Sequence, residues 1–301
     1  GRSPEGENLL SLPGGIGDSG CAVNQCGDLA ASLLTLAQVR PIAWFMSGDP
    51  HLILLPGLLC NRNLWVYALD NLQHLAEMRV PDLTRQDSLA AMARHVLDQA
   101  PPRFALAGLS MGGYLAFELW RQAPQRIERL AFVNTSARPD SPEQSARRRE
   151  ILSQVQIGEF RGMTASLMKE MISEGRLDDT LLVAAITAMA EDVGRDGFIR
   201  QTTAIMSRPD SRPDLATIDC PVVVIGGAND RLTPPEIHAE IAGRIPGSRL
   251  FIIRSAGTSR RWNSPRPWPG CCATGWRSPG ATGRQRCLRL KAGHYLAAYD
   301  E

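Results

Sequence analysis

The stretch Arg103-Phe-Ala-Leu-Ala-Gly108-Leu-Ser110-Met-Gly112-Gly113-Tyr114 decides how this chain is read. Its first half is a short apolar run of the length a buried strand needs. Its second half opens a helical pattern from about Met111 to Arg121. A serine falls at the joint, with glycine two residues before it and two after. A chain that passes directly from strand to helix has no room for side chains at Gly108 and Gly112, and Gly113 lets the helix pack closely. Such a turn raises the Ser110 hydroxyl above the carboxyl edge of a sheet, where a serine nucleophile is needed. The same turn offers the Met111 N–H to a developing oxyanion, at a helix N-terminus that favours negative charge. The pattern G-x-S-x-G is common by chance, and its position between strand and helix is what gives it weight.

Working outward, apolar runs alternate with helical patterns. His51-Leu-Ile-Leu-Leu-Pro-Gly57 is a buried strand closed by a Pro-Gly turn. Gln86 to Ala100 has helical spacing, with Leu89, Met92, Val96 and Leu97 on one face. Further strands are expected at Leu130–Asn134, Pro221–Gly226 and Arg249–Arg254. The alternation predicts an α/β fold, a mainly parallel sheet with helices on both faces. Residues 137–218 are helical in character and too long for a simple connection, so they are expected to form a lid inserted before the acid-bearing strand. Their first helix opens at Ser141-Pro-Glu-Gln144, a capping box with proline at the first helical position. The core is then 46–136 and 219–257. Residues 1–45 read as a weakly ordered leader, with Met46 as a natural start, and 258–301 as an aberrant, disordered tail.

Two further groups complete a candidate site. The loop Pro56-Gly57-Leu58-Leu59-Cys60 follows the first strand, and its Leu58 N–H is the candidate second oxyanion donor. An acid is expected after the serine at the end of a later strand, and Gly226-Gly-Ala-Asn-Asp230 meets that description, with Asp140 as the substitute. Thr233-Pro-Pro-Glu236 then reads as the cap of the next helix. Together, Leu-Pro-Gly-Leu-Leu-Cys (55–60 with its leading leucine) and Gly108-Leu-Ser110-Met-Gly112-Gly113 resemble the α/β-hydrolase family, over about Pro50 to Gly257. The likeness is to small bacterial serine esterases, including those cleaving methyl esters of acyl carriers, and to a menaquinone-pathway synthase. It implies hydrolysis of a small-molecule carboxylic ester through an acyl-serine intermediate, with no cofactor. Thioesterase or C–C lyase chemistry on the same site, and a non-catalytic acyl-binding or scaffold role, are the alternatives.

The family's catalytic histidine follows the last strand in a Gly-His step, and here Gly257 is followed by Thr258. From Thr258 to Cys287 there is no Leu, Ile, Val, Met or Phe, where the fold requires an amphipathic helix. A shifted reading frame accounts for both. With one cytosine added before the Thr258 codon, the shifted codons of Asn263, Pro269 and Cys272 are forced to Glu, Ala and Leu. With compatible codons at the other positions, the restored frame reads His-Leu-Ala-Ala-Met-Glu-Gln-Pro, then an amphipathic helix. Among the histidines present, His51 opens a strand, His74 and His95 lie in helices before the serine, and His238 is expected on a solvent face. His294, in Ala-Gly-His-Tyr, copies the missing step but lies 37 residues beyond Gly257.

Composition narrows the remaining classes. The net charge of +2 divides into +6 over residues 258–301, from seven Arg and one Lys against one Asp and one Glu, and −4 over the rest. The tail's arginines are scattered among Pro and Gly without a recognised module, so no nucleic-acid partner is expected. No apolar stretch reaches the roughly 18 residues of a membrane span, and the N-terminus lacks the pattern of a secretory signal. Seven irregularly spaced cysteines fit a cytoplasmic protein without a disulfide framework. Cys271-Cys272 has no ligand partners at metal spacing, so no metal is expected. Met163, Met168, Met171, Met189 and Met206 are candidates for an apolar acyl pocket or for plain core.

Overall fold

The structure, a computed structural model, describes residues 51–158, 160, 162–172, 176–253, 286–289 and 295–298. The expected leader (1–45), Met46, His294 and Cys271-Cys272 lie outside the described residues. An eight-stranded sheet organises the chain, in the order β2-β1-β3-β4-β5-β6-β8-β7. Its strands are β1 (His51–Leu55), β2 (Glu77–Arg79), β3 (Phe104–Leu109), β4 (Ile127–Val133), β5 (Val222–Gly227), β6 (Arg249–Ile253), β7 (Arg286–Arg289) and β8 (Tyr295–Ala298). Every neighbouring pair is parallel except β7 with β8. The five expected strands all form. Three more join them: β2, whose Glu-Met-Arg sequence carries no apolar run, and β7 and β8. The last two lie within residues 258–301.

Burial on both faces explains why the strands read as unbroken apolar runs rather than alternating ones. Leu52, Leu54, Ala105, Ala107, Val133 and Ile225 point into one core layer, and Ile53, Leu55, Leu106, Phe132 and Val224 into the other. The first layer is filled from α1 (Val66–Leu72) by Ala68, Leu69 and Leu72. The second is filled from α2 (Leu89–Gln99) and α3 (Met111–Gln122), where Phe117 stacks on Phe132 with ring centroids 4.3 Å apart.

Between β4 and β5 the chain forms α4 (Pro142–Ile157), α5 (Ala165–Met171) and α6 (Thr180–Met206). The capping box at α4 forms as read: Gln144 N–H donates to Ser141 Oγ, Ser141 N–H donates to Gln144 Oε1, and Pro142 takes the first position. Helix α6 is broken at Gly194, whose φ of 68° and ψ of 179° belong to a region only glycine enters freely. Its first half supplies Leu182, Ile186, Met189 and Val193 to the first layer, and its second half supplies Ala204 and Ile205 to the other. This insertion is fastened by a buried cluster. The Asp140 side chain is 2% exposed and lies 2.8 Å from Arg148 on α4 and 2.7 Å from Arg208, just beyond α6. The Arg208 guanidinium also lies over the Tyr114 ring, 4.2 Å from its centre.

The last helix, α7 (Pro235–Arg244), follows β5. Its start differs from the sequence reading: Pro234 holds the cap position, and the Thr233 hydroxyl donates to Asp230 rather than capping the helix. His238 differs too. It is fully buried, not on the solvent face, because the missing side chain at Gly226 leaves room for its ring; a Cβ there would lie 2.5 Å from His238 Nδ1.

Candidate active site

Ser110 sits between β3 and α3 with φ 52° and ψ −111°, a conformation a non-glycine residue adopts only under constraint. Strain of this kind costs on the order of 1–3 kcal/mol and persists where the surroundings over-determine it. Here four hydrogen bonds do so. Ser110 N–H donates to Val133 O at 3.0 Å, and Ser110 O accepts from Gly113 N–H at 2.9 Å, Tyr114 N–H at 3.3 Å and the Thr135 hydroxyl at 2.8 Å. The three glycines are needed for close approach. A Cβ on Gly108 would lie 2.3 Å from Gly112 O, one on Gly112 2.1 Å from Leu55 O, and one on Gly113 2.3 Å from Thr135 Oγ1.

The loop after β1 is brought against this turn. A Cβ on Gly57 would lie 3.2 Å from Leu109 Cδ2 and 3.6 Å from Ser110 Cβ. Cys60 N–H donates to Gly57 O at 3.2 Å, closing a turn with Leu58 and Leu59 at its centre, and Leu59 has a φ of 58°. A single positive φ at the third position is the type II pattern, which ordinarily carries glycine there. Among the described residues neither the Leu58 N–H nor the Met111 N–H has a hydrogen-bond partner, and the Ser110 hydroxyl has none either. The neighbouring Cys60 thiol is buried, which pushes its pKa up to about 12 and keeps it protonated.

Asp230 lies beyond the carboxyl end of β5, and its carboxylate is fully engaged. Oδ1 accepts from Leu232 N–H and Thr233 N–H, each at 2.9 Å, and Oδ2 accepts from Asn134 Nδ2 at 2.9 Å and Thr233 Oγ1 at 2.8 Å. A carboxylate has about four acceptor positions, and these donors occupy four. Asn134 was not singled out from sequence. It ends β4 in the left-handed region (φ 43°), which asparagine tolerates better than most residues. The same strand end thus ties Asp230, through Asn134, to the serine turn, through Val133 O and Thr135. Asp140, the substitute acid of the sequence reading, is paired with Arg148 and Arg208.

None of the described histidines stands in hydrogen-bond contact with Ser110 or Asp230. His51 opens β1 at the amino edge of the sheet, 3.2 Å from Glu77. His74 is exposed just after α1, and His95 lies on α2 beside Gln99. His238 Nδ1 is 3.3 Å from Pro234 O, and its Nε2 is buried without a partner. Burial lowers its pKa, against the opposing charge of Asp230 and the contact with Pro234 O, so the imidazole is neutral. Tyr295 begins β8 in register with Arg249, the first residue of β6. That is the amino edge of the sheet, opposite the edge that carries Ser110.

A cavity of about 320 Å³ opens between α5 and α6, lined by Met163, Met168, Lys169, Leu177, Val183 and Thr187. Of the other methionines, Met189 is core and Met171 packs against it, whereas Met206 ends α6. Among the described residues no cluster of three or more His, Cys, Asp or Glu is placed to hold a metal, and no helix is long and apolar enough to cross a membrane.

Known proteins resemble this chain in sequence and in fold. A pimeloyl-[acyl-carrier protein] methyl ester esterase of Vibrio campbellii is 24% identical, over 71% of this chain and 89% of its own length. Among solved structures, a hydrolase from Pseudomonas aeruginosa is 28% identical, with a TM-score of 0.60 over 68% of this chain and 81% of that one. A thermophilic esterase from Thermogutta terrifontis is 29% identical, with a TM-score of 0.58 over 69% of this chain and 82% of its own. Residues 50–259 match the alpha/beta hydrolase fold family, well over half of the sequence, and the chain belongs to that family.

Proposed function

We propose that this chain is a serine-type carboxylic ester hydrolase whose site lacks its general base, so that it acylates slowly and turns over very little. The observation that carries the reading is the strained Ser110, packed against Gly57 with two uncommitted N–H groups on the flanking turns. In the complete arrangement an imidazole takes the Ser110 proton as the hydroxyl oxygen attacks the ester carbonyl. Leu58 and Met111 N–H receive the oxyanion, and the Asp230 carboxylate, its acceptor positions already filled, steadies the imidazolium through its charge. The alcohol leaves with the proton, and water then releases the acid. In the chain as written, solvent must take the proton, because none of the described residues is placed beside Ser110 as a base.

Loss of one member of such a unit costs on the order of 10⁴ to 10⁶ in turnover, while about 10³ to 10⁴ over water survives from the oxyanion hole and binding. The substrate class is a short alkyl ester of an apolar acyl chain, with the Met163/Met168 cavity in the α4–α6 lid holding that chain. The named substrate of the Vibrio relative, a methyl ester on a carrier-bound acyl group, is of this kind. The test is intact-mass analysis after exposure to 4-nitrophenyl acetate. An acetyl adduct is expected on the chain and absent from Ser110→Ala; equal labelling of both would overturn the reading.

A further inference from the structure

Resting on the esterase reading above, we propose that Gln201 is the positioning residue of the oxyanion hole: its side-chain amide clamps the strained Leu59 peptide and so fixes the backbone that presents Leu58 N–H to Ser110. Gln201 lies on the second half of α6, 142 residues from Leu59 in the chain, and is fully buried. Its Oε1 accepts from Leu59 N–H at 3.0 Å, and its Nε2 donates to Leu83 O at 3.2 Å. With one end facing a donor and the other an acceptor, the amide can take only one orientation.

A buried, uncharged side chain of this kind needs a reason to be inside an otherwise apolar layer. The turn supplies one. Leucine occupies the glycine position of a type II turn, a conformation that L residues with a Cβ resist. The Leu59 side chain is 1% exposed in the core, which anchors one side of the residue, and Gln201 anchors its N–H on the other. A second tie holds the end of the same loop, where Asn61 Nδ2 donates to Asp192 Oδ2 at 2.9 Å. Asp192 precedes the Gly194 break in α6 and Gln201 follows it, so the loop beside the nucleophile is held from both halves of one helix. Without Gln201 the Leu59 N–H is buried and unpaired, and the turn is free to relax out of its strained form, carrying Leu58 with it.

The experiment compares acylation of Ser110 by 4-nitrophenyl acetate and by its thiono analogue, followed by intact mass, in the parent chain and in Gln201→Met. Sulfur accepts hydrogen bonds poorly, so a defect in the oxyanion hole slows the oxo ester selectively, whereas a general structural defect slows both. Gln201→Met is expected to slow the oxo ester about tenfold or more, approaching the hundredfold seen when a whole donor is removed, with the thiono rate within about threefold of the parent. Equal slowing of both esters, or no slowing, overturns the proposal. Gln201→Glu gives a second reading should the methionine variant fail to fold. Its carboxyl accepts from Leu59 N–H whether protonated or ionised, so the oxo-to-thiono ratio is expected to match the parent. A ratio tenfold or more below the parent's in that variant overturns the proposal as well. A parent chain with no Ser110-dependent acylation refutes the esterase reading itself, whereas Ser110-dependent acylation with an unchanged ratio in Gln201→Met refutes only the role of Gln201.

Discussion

At the scale of single residues the site depends on close approach. Gly112 has Leu55 O where a side chain would begin, 2.1 Å away, and neither backbone can retreat without moving β1 or the serine turn. Gly112→Ala is therefore expected to lower stability by about 3 kcal/mol or more, read from the urea midpoint; a loss below about 1 kcal/mol would show that the turn is looser than its contacts imply. His238 makes a pH-dependent contribution whose sign follows from its lowered pKa. Above the ordinary histidine value of about 6.5 both folded and unfolded forms are neutral and its contribution is complete. As pH falls below that value the unfolded chain takes up a proton that the folded one resists, and the stability is lost as pH passes down through the folded pKa. Urea midpoints measured downward from neutral pH are expected to fall more steeply in the parent than in His238→Leu, and parallel slopes would contradict this. The serine turn was legible in sequence because all its determinants lie within six residues. Its long-range supports were not: Asn134 is 96 residues from Asp230 and Gln201 is 142 from Leu59, and no local pattern records such pairings.

At the scale of elements, the insertion between β4 and β5 is held by charge as well as by apolar packing. Asp140 and Arg208 are almost fully buried, so removing one partner leaves the other charge without compensation. Asp140→Asn is expected to cost about 3–5 kcal/mol in denaturant unfolding while leaving the Ser110 acylation rate per folded molecule unchanged; a selective loss of acylation would instead give Asp140 a part in the chemistry. The α6 break is similarly specific. Gly194→Ala places a Cβ residue at φ 68°, with open space around it, so the penalty is conformational and of order 1–3 kcal/mol. A thermal midpoint unchanged from the parent would contradict it. Apolar runs marked β1, β3, β4, β5 and β6 in the sequence because each is buried on both faces. The three residues of β2, two of them charged, carry no such mark. His238 was assigned to the wrong side of its helix for a related reason: what makes space for it is an absent side chain on another element, at Gly226.

At the scale of the whole molecule, a complete hydrolase framework meets a C-terminal segment of different character. Residues 51–253 supply six of the eight strands, the strained serine, the loop beside it and a carboxylate with all its acceptor positions filled. The +6 segment that follows Gly257 has threonine where the family's histidine is expected, and the α/β plan asks for an amphipathic helix next. The most direct measurement is steady-state hydrolysis of 4-nitrophenyl acetate by the chain as written, by Ser110→Ala, and by the product of the gene with one cytosine added before the Thr258 codon. The account predicts that the first two turn over at nearly the same rate and that the third exceeds them by about 10⁴ to 10⁶. Turnover by the chain as written that matches the frame-restored protein would contradict it.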